Sequence, residues 1–314
     1  MKLYQSLDAY QPGSHTVATI GTFDGLHIGH RTILQRIQEV AKEIDGESLL
    51  ISFYPHPRLV LFPDNNPLKL LHTLEEKIAM LNDIGLDKLL LLPFTKEFSR
   101  MPSRAFIQHI LSEKIGIHKI IIGYDHRFGK NRAGGIEELQ QYAPELGYLV
   151  EEIPAQSIDD AKVSSTKIRR AIQDGKVELA KDYLGYPYSF AGKVIHGEKQ
   201  GRQLGYPTAN IQPDDPLKLI PADGVYFVRV WVESEELYGM MSIGTKPTIG
   251  EFDRYHEVYI FDFARDIYDQ TIRVDLLNWI RPQEKFDSLD TLIAAIQGDE
   301  QFCRKKMAQL GRKS

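Results

Sequence analysis

Two histidines stand three residues apart in the string Gly21-Thr22-Phe23-Asp24-Gly25-Leu26-His27-Ile28-Gly29-His30. At helical spacing, both rings project from one side of a first turn. The glycines let backbone approach a phosphate, and the helix start offers free N–H groups and a partial positive charge. Such a tip can donate hydrogen bonds to polyphosphate oxygens. A helix end alone disfavours imidazolium, whereas a bound polyphosphate favours it. One histidine beside a turn would say little, but the whole string at a strand–helix junction says more. Far along the chain, Val163-Ser164-Ser165-Thr166-Lys167-Ile168-Arg169-Arg170 joins hydroxyls that can cap a helix to cations in its first turns. This segment can clamp the β- and γ-phosphates of ATP as they become pyrophosphate. Gly123-Tyr124-Asp125-His126-Arg127-Phe128-Gly129-Lys130 and Ser52-Phe53-Tyr54-Pro55-His56-Pro57 are two further loops that follow apolar runs.

A second dense string carries different chemistry: Gly192-Lys193-Val194-Ile195-His196-Gly197-Glu198-Lys199-Gln200-Gly201-Arg202-Gln203-Leu204-Gly205-Tyr206-Pro207-Thr208-Ala209-Asn210. It is not a Walker A loop, since no GxxxxGK[ST] leads from a strand into a helix. Gly192, Gly197, Gly201 and Gly205 still give backbone able to fold round a nucleotide, with Lys193 and Arg202 available for phosphate. Thr208 and Asn210 are two apart, so in extended backbone their oxygens face the same side. A hard cation such as Mg²⁺ takes such oxygens along with ATP phosphates and water. Downstream, His256-Glu257-Val258-Tyr259-Ile260-Phe261-Asp262-Phe263 sets a carboxylate at a predicted strand start. His256 is assigned no role.

These residues need two different scaffolds. Over the first ~180 residues, short apolar runs alternate with helical patterns. Val17–Ile20 predicts a strand, and Ile33, Leu34, Ile37, Val40, Ala41 and Ile44 recur at helical spacing behind it. Strands are predicted at Leu49–Phe53, Lys88–Leu92, Lys119–Ile122 and Tyr148–Ile153, and helices at Leu74–Leu81 and Pro102–Lys114, ending near Gly85 and Gly116. Alternation of this kind implies a parallel, Rossmann-like α/β sheet with its ligands at the carboxyl ends of the strands. After a helical stretch from Ser165 to Leu184 the rhythm changes. Val225–Val232 and Tyr238–Ile243 are strand-like about the turn Glu233-Ser234-Glu235-Glu236, and Glu257–Phe263 and Thr271–Ile280 follow. Strands without crossover helices imply an antiparallel barrel, and a helix from Leu289 to Leu310 closes the chain. The expected boundary falls at residue 184, giving domains 1–184 and 185–314.

Composition narrows the partners. The 314 residues are 42% apolar and 26% charged, with a net charge of −5, so no bulk basic charge argues for nucleic acid or anionic lipid. Cys303 is the only cysteine, which excludes an intrachain disulfide framework and a Cys-rich zinc site. Met1 to Tyr10 lacks a signal pattern and no apolar run approaches a bilayer span. A cytoplasmic protein without membrane partners is expected.

The strings His27-Ile28-Gly29-His30 and Ser164 to Arg169 resemble the HxGH nucleotidyltransferase superfamily. Their order and spacing, with PHP and GxDxxFG-like elements between, are most similar to the FAD synthetase module of bacterial bifunctional riboflavin kinase/FAD synthetases. The resemblance implies an ATP site formed by Gly21, Phe23, His27, His30, Asp125, Ser164, Ser165, Thr166 and Arg169, with His27, His30 and Arg169 acting in catalysis. FMN's phosphate would attack the α-phosphorus of ATP and expel pyrophosphate. That nucleophile is already ionised near neutral pH, so positioning and charge stabilisation matter more than a base.

The later strings, ending Pro207-Thr208-Ala209-Asn210 and followed by Ser242-Ile243-Gly244-Thr245-Lys246-Pro247-Thr248, Glu257 and Ile280-Arg281 through Lys285-Phe286, resemble the riboflavin kinase module in the same order. This implies a six-stranded antiparallel barrel, ATP along the stretch from Gly192 to Asn210, and Mg²⁺ at Thr208 and Asn210. It also implies that Glu257 is the base for riboflavin's 5′-hydroxyl, a protonated nucleophile that gains from one. The substrates implied are riboflavin, FMN and ATP, and the products FMN and FAD. Three positions depart from the family's usual pattern: Ser242 where Asn is common, and Gln283 and Gly135 where acidic residues are. A single-activity transferase with one decayed module, a flavin-binding sensory module and HxGH activation of another substrate are the competing readings; the last explains only the first half.

Overall fold

The computed structural model describes residues 1–63, 68–124, 126–154, 163–197, 201, 205–247 and 252–310. The chain divides into two compact units, Met1–Ser165 and Thr166–Ser314.

In the first unit, strands β1 (Lys2–Tyr4), β2 (Thr16–Ile20), β3 (Glu47–Tyr54), β4 (Lys88–Pro93), β5 (Ile117–Gly123) and β6 (Leu149–Ile153) form one sheet in the order β1-β4-β3-β2-β5-β6. Every pairing is parallel. The near-continuous apolar runs arise because both faces are covered. Ala18, Ile20, Leu49, Ile51, Leu90, Leu92, Ile120 and Ile122 share one core with Phe106, Ile107 and Leu111. Val17, Leu50, Leu89, Leu91 and Ile121 share the other with Leu34 and Ile37 of helix α1 (Ile28–Glu43). Truncating one of these fully buried leucines to Ala would cost about 2–5 kcal/mol.

Among the described residues this unit also carries α2 (Pro57–Leu61), α3 (Leu74–Ile84), α4 (Ser103–Ala105) and α5 (Ile136–Leu146), besides short helical turns at Phe98–Arg100 and Lys130–Arg132. The predicted helix at 102–114 becomes α4 followed by a π-helix, Phe106–Ile115. Its buried residues Phe106, Ile107, Ile110, Leu111 and Ile115 fit a wider turn as well as an α-helical one. The short strand β1 and helices α2 and α5 were not among the sequence expectations.

Helix α6 (Ser165–Gln173) leads into the second unit, and α7 (Val177–Leu184) follows. The predicted single helical stretch breaks at Gly175. Its φ of 76° is left-handed, and a Cβ there would run into the Trp279 indole at 2.5 Å. Beyond lie β7 (Ser189–Ile195), β8 (Ala209–Pro213), β9 (Gly224–Val232), β10 (Glu235–Pro247), β11 (Phe252–Ile260) and β12 (Thr271–Arg281). They close into an antiparallel barrel in the order β10-β11-β8-β7-β12-β9. The turn expected over 233–236 narrows to Glu233 and Ser234, because Glu235 and Glu236 already pair with Val232 and Trp231. Helix α8 (Leu289–Leu310) packs Ile296, Phe302, Cys303 and Met307 against Phe227, Met240 and Phe261. Ser288 and Thr291 cap its start reciprocally.

Candidate active sites

In the first unit, β2 delivers its chain into a tight turn before α1. Phe23, Gly25 and Leu26 hold φ values of 48°, 91° and 34°. For the two non-glycines, left-handed backbone costs about 1–3 kcal/mol each, a cost met mainly at functional turns. His27 is the N-cap of α1, and its Nδ1 accepts the His30 backbone N–H at 3.4 Å. The two imidazoles stack with centroids 3.6 Å apart, and Phe23 stacks on the other face of His30 at 4.5 Å. His30 Nδ1 is buried without a hydrogen-bond partner. Burial first, then the neighbouring His27, His72 and Lys77, hold the His30 imidazole well below the usual histidine range.

The turn is braced from the segment entering α3. The buried Asp24 carboxylate accepts the backbone N–H groups of Leu71 at 3.1 Å and His72 at 3.3 Å. Lys77 donates to the Thr22 carbonyl and to Ser52 Oγ, both at 3.2 Å. Burial pulls the Lys77 ammonium down to about 8, against the Asp24 carboxylate, which favours its charge. From the start of α6, Ser165 Oγ donates to the Asp24 carbonyl at 2.8 Å. Two histidines, a partly buried lysine and a hydroxyl therefore meet at one turn at the carboxyl end of β2.

In the second unit, Thr208 Oγ1 donates to Glu257 Oε2 at 3.4 Å. Asn210 is the cross-strand partner of Glu257 on β8, and Ser242 its partner on β10. Glu257 thus lies well inside β11 rather than at its start. The strand begins earlier because residues from Phe252 onward already pair with β10. A Cβ on Gly197 would overlap the Asn210 carboxamide, so a larger residue there would displace the Asn210 side chain. Beside Thr208 opens a cavity of about 360 Å³, lined by Val194, Pro207, Val258, Ile260, Phe263 and Tyr268 among others. A mostly apolar cavity of this size suits a small organic ligand. His256 is buried, its Nδ1 3.1 Å from the Ile211 carbonyl, and burial lowers its basicity.

The first part of the chain matches the family model for FAD synthetase over residues 10–167, and the second that for riboflavin kinase over residues 184–307. A bifunctional riboflavin kinase/FMN adenylyltransferase of Listeria monocytogenes is 36% identical, covering 94% of this chain and 93% of its own. Its counterpart in Escherichia coli strain K12 is 34% identical, covering 97% of both. The chain belongs to the bifunctional riboflavin kinase/FMN adenylyltransferase family. A crystal structure described as a macrolide-efflux protein from Streptococcus pneumoniae shares the fold, with a TM-score of 0.88 at 32% identity, covering 96% of this chain and 98% of its own. Among the described residues no helix is long and apolar enough to cross a membrane.

Within this family framework, the residues expected from sequence fall as follows. Gly21, Phe23, His27, His30, Ser164 and Ser165 belong to the first unit, and Thr166 and Arg169 to the second. Thr166 is exposed and Arg169 half-buried on α6. Asp125 and Arg202 lie outside the described residues. His56 caps α2, its Nδ1 accepting the Arg58 N–H at 3.2 Å. Gly192 sits in the barrel wall against the Gln212 carbonyl, and Lys193 pairs with Asp269 at 2.8 Å on the surface. Gly201 accepts the Tyr206 N–H at its carbonyl, 2.9 Å away, just ahead of Pro207 and Thr208 in the chain.

The departures are compensated locally. Gln283 Nε2 donates to Ser242 Oγ at 2.7 Å and to the Ile243 carbonyl at 3.1 Å, so the two unusual residues satisfy one another beside Glu257. At Gly135, the Arg127 guanidinium fills the space a side chain would take, and it pairs with Glu137 at 3.2 Å. Sequence reasoning missed Asp24 and Lys77 as bracing groups. Asp24 stood inside the quoted string, but Lys77 reads as an ordinary helix-face lysine some 50 residues away.

Proposed function

We propose that this chain phosphorylates riboflavin to FMN at the barrel and adenylylates FMN to FAD at the α/β unit, with ATP consumed at both. The reading rests above all on the convergence of Thr208, Asn210 and Glu257 across β8 and β11, with the Thr208–Glu257 contact at 3.4 Å. Glu257 is the base that takes the proton of riboflavin's 5′-hydroxyl as it attacks the γ-phosphorus of ATP. The Thr208 hydroxyl and the Asn210 carboxamide oxygen form a hard donor pair, which fits Mg²⁺ better than softer metals. Bound there, Mg²⁺ would neutralise charge on the transferred phosphate. The cavity beside Thr208 would take the adenosine portion of ATP, its apolar walls suiting a purine.

At the α/β unit, His27, His30 and Arg169 would steady the triphosphate while FMN's phosphate attacks its α-phosphorus and pyrophosphate leaves. Ser164, Ser165 and Thr166 would bind the departing phosphates, and Lys77 adds a partly buried ammonium next to the turn. Tyr54 and Phe62, half-exposed or more at the carboxyl end of β3, offer apolar surface for an isoalloxazine ring. The adenylyltransferase module is taken as residues 1–184 and the kinase module as 185–314. The absence of bulk basic charge and the single cysteine support a cytoplasmic enzyme that acts on small molecules rather than on nucleic acid or membrane.

The test is one incubation of the full chain with riboflavin, ATP and Mg²⁺, sampled over time and separated chromatographically. Successive FMN and FAD peaks are expected, both dependent on Mg²⁺. FMN without FAD, or no conversion of riboflavin, would overturn the two-site reading.

A further inference from the structure

Helix α8 reaches the segment that leads into β8 through a side-chain contact. Tyr206, two residues before Thr208, donates its hydroxyl to Glu300 Oε2 at 3.1 Å. The other oxygen of Glu300 accepts Arg304 Nε at 2.8 Å, and Arg304 clasps both oxygens of Asp262 at 3.1 and 3.2 Å. Asp262 lies two residues beyond the end of β11, the strand that carries Glu257. The Arg304 guanidinium also lies over the Phe261 ring at 4.8 Å. One helical residue earlier, Asp299 is held by Arg281 of β12 through three hydrogen bonds of 2.8–3.1 Å, so Glu300 projects from an anchored turn. The Tyr206 ring packs edge-on against Tyr259 of β11 at 5.1 Å.

Tyr206 therefore has its ring, hydroxyl and backbone each committed: ring to β11, hydroxyl to α8, and N–H to the Gly201 carbonyl. A charge-assisted bond from a hydroxyl to a carboxylate is stronger than a neutral one. Among side chains of the Gly205–Asn210 segment, this contact fixes where the chain stands before it enters β8. Thr208 follows within reach of Glu257, and an error of 1 Å there would be costly to an in-line transfer.

We propose that Glu300 of α8 is a positioning residue for phosphoryl transfer, acting through the Tyr206 hydroxyl to set Thr208 at the metal-nucleotide end of the kinase site. The proposal rests on the reading of Thr208 and Glu257 as that site. The C-terminal helix is then part of the kinase's working parts and not merely a cover for the barrel.

The experiment uses the full chain and steady-state riboflavin phosphorylation, with FMN-to-FAD conversion as an internal check of folding. Tyr206→Phe keeps the ring and removes only the hydroxyl. The expected result is a KM for MgATP raised about tenfold, a higher Mg²⁺ requirement, and an unchanged KM for riboflavin. Glu300→Leu, which deletes the acceptor, should give the same split, and the double variant should raise the KM for MgATP no further than Tyr206→Phe alone, since both remove one interaction. If Thr208→Ala abolishes the kinase while Tyr206→Phe leaves its KM for MgATP within twofold, the positioning role is wrong and the site reading stands. If Thr208→Ala is also harmless, both fall together. A parallel loss in every kinetic constant with a lowered melting temperature would mark Tyr206 as structural only and overturn the proposal.

Discussion

The carboxylate of Glu257 accepts the Thr208 hydroxyl while its backbone pairs with Asn210 on the neighbouring strand. Three residues from two separated stretches of sequence thus present their oxygens at one place on the barrel wall. Closure of the barrel enforces this, because the short strand β8 is paired on both sides, to β7 and to β11.

Replacing Glu257 by Ala should reduce FMN formation from riboflavin by about 10²–10⁴, the range for loss of a general base. FAD formation from supplied FMN should be unchanged. Assaying each half-reaction separately checks this, and simultaneous loss of both in a folded variant would contradict separate sites.

His30→Ala should act in the opposite sense, lowering FAD formation from FMN and sparing riboflavin phosphorylation. An effect of about 10²-fold or more is expected if the ring stabilises charge that develops in the transition state. His27→Ala should add an N-cap loss of about 1 kcal/mol in the stability of the α/β unit. Thermal unfolding followed alongside activity separates the two contributions.

Lys77 gives a pH signature. Its ammonium titrates at about 8 in the folded chain against a usual 10.5, because burial penalises the charge. Between those values the unfolded chain carries a proton that the folded chain lacks, so this group's contribution to stability grows as pH rises from about 8 to about 10.5. Lys77→Met should flatten the slope of stability against pH in that window. Denaturant titrations of wild type and variant at several pH values read the difference directly; equal slopes would count against a desolvated Lys77.

Asp299→Ala should destabilise the barrel unit by about 3–5 kcal/mol, since it leaves the Arg281 guanidinium poorly compensated at a largely buried site. Denaturant unfolding of the kinase unit is the measurement. Substituting Arg281 and Asp299 together by apolar residues of similar size should restore much of the loss.

The alternation of apolar runs was enough to predict the parallel sheet, because strands buried on both faces leave an unmistakable pattern at Leu49–Phe53 and Lys88–Leu92. Terminators were equally legible where glycine was needed: α3 ends at Gly85 and the π-helix at Gly116, both with left-handed backbone. Less legible was anything set by distant partners. Asp24 and Lys77 brace one turn from far-apart stretches, and no local spacing links them. Helix type at 106–115 also escaped, since burial of one face does not distinguish a 3.6-residue from a 4.4-residue turn. Glu257 was found by its company rather than its setting, and its place deep within β11 depended on pairing that begins at Phe252. Tyr206 and Glu300 lie nearly a hundred residues apart, and only closure of the barrel under α8 brings them together.

The cap at the start of α1 fixes which tautomer the His27 imidazole takes. By receiving a backbone hydrogen at Nδ1, His27 keeps that nitrogen bare, so the ring's remaining hydrogen sits on Nε2. In that tautomer the ring's N–H donor is at Nε2, so a hydrogen bond from it to an anion would not require the ring to be charged.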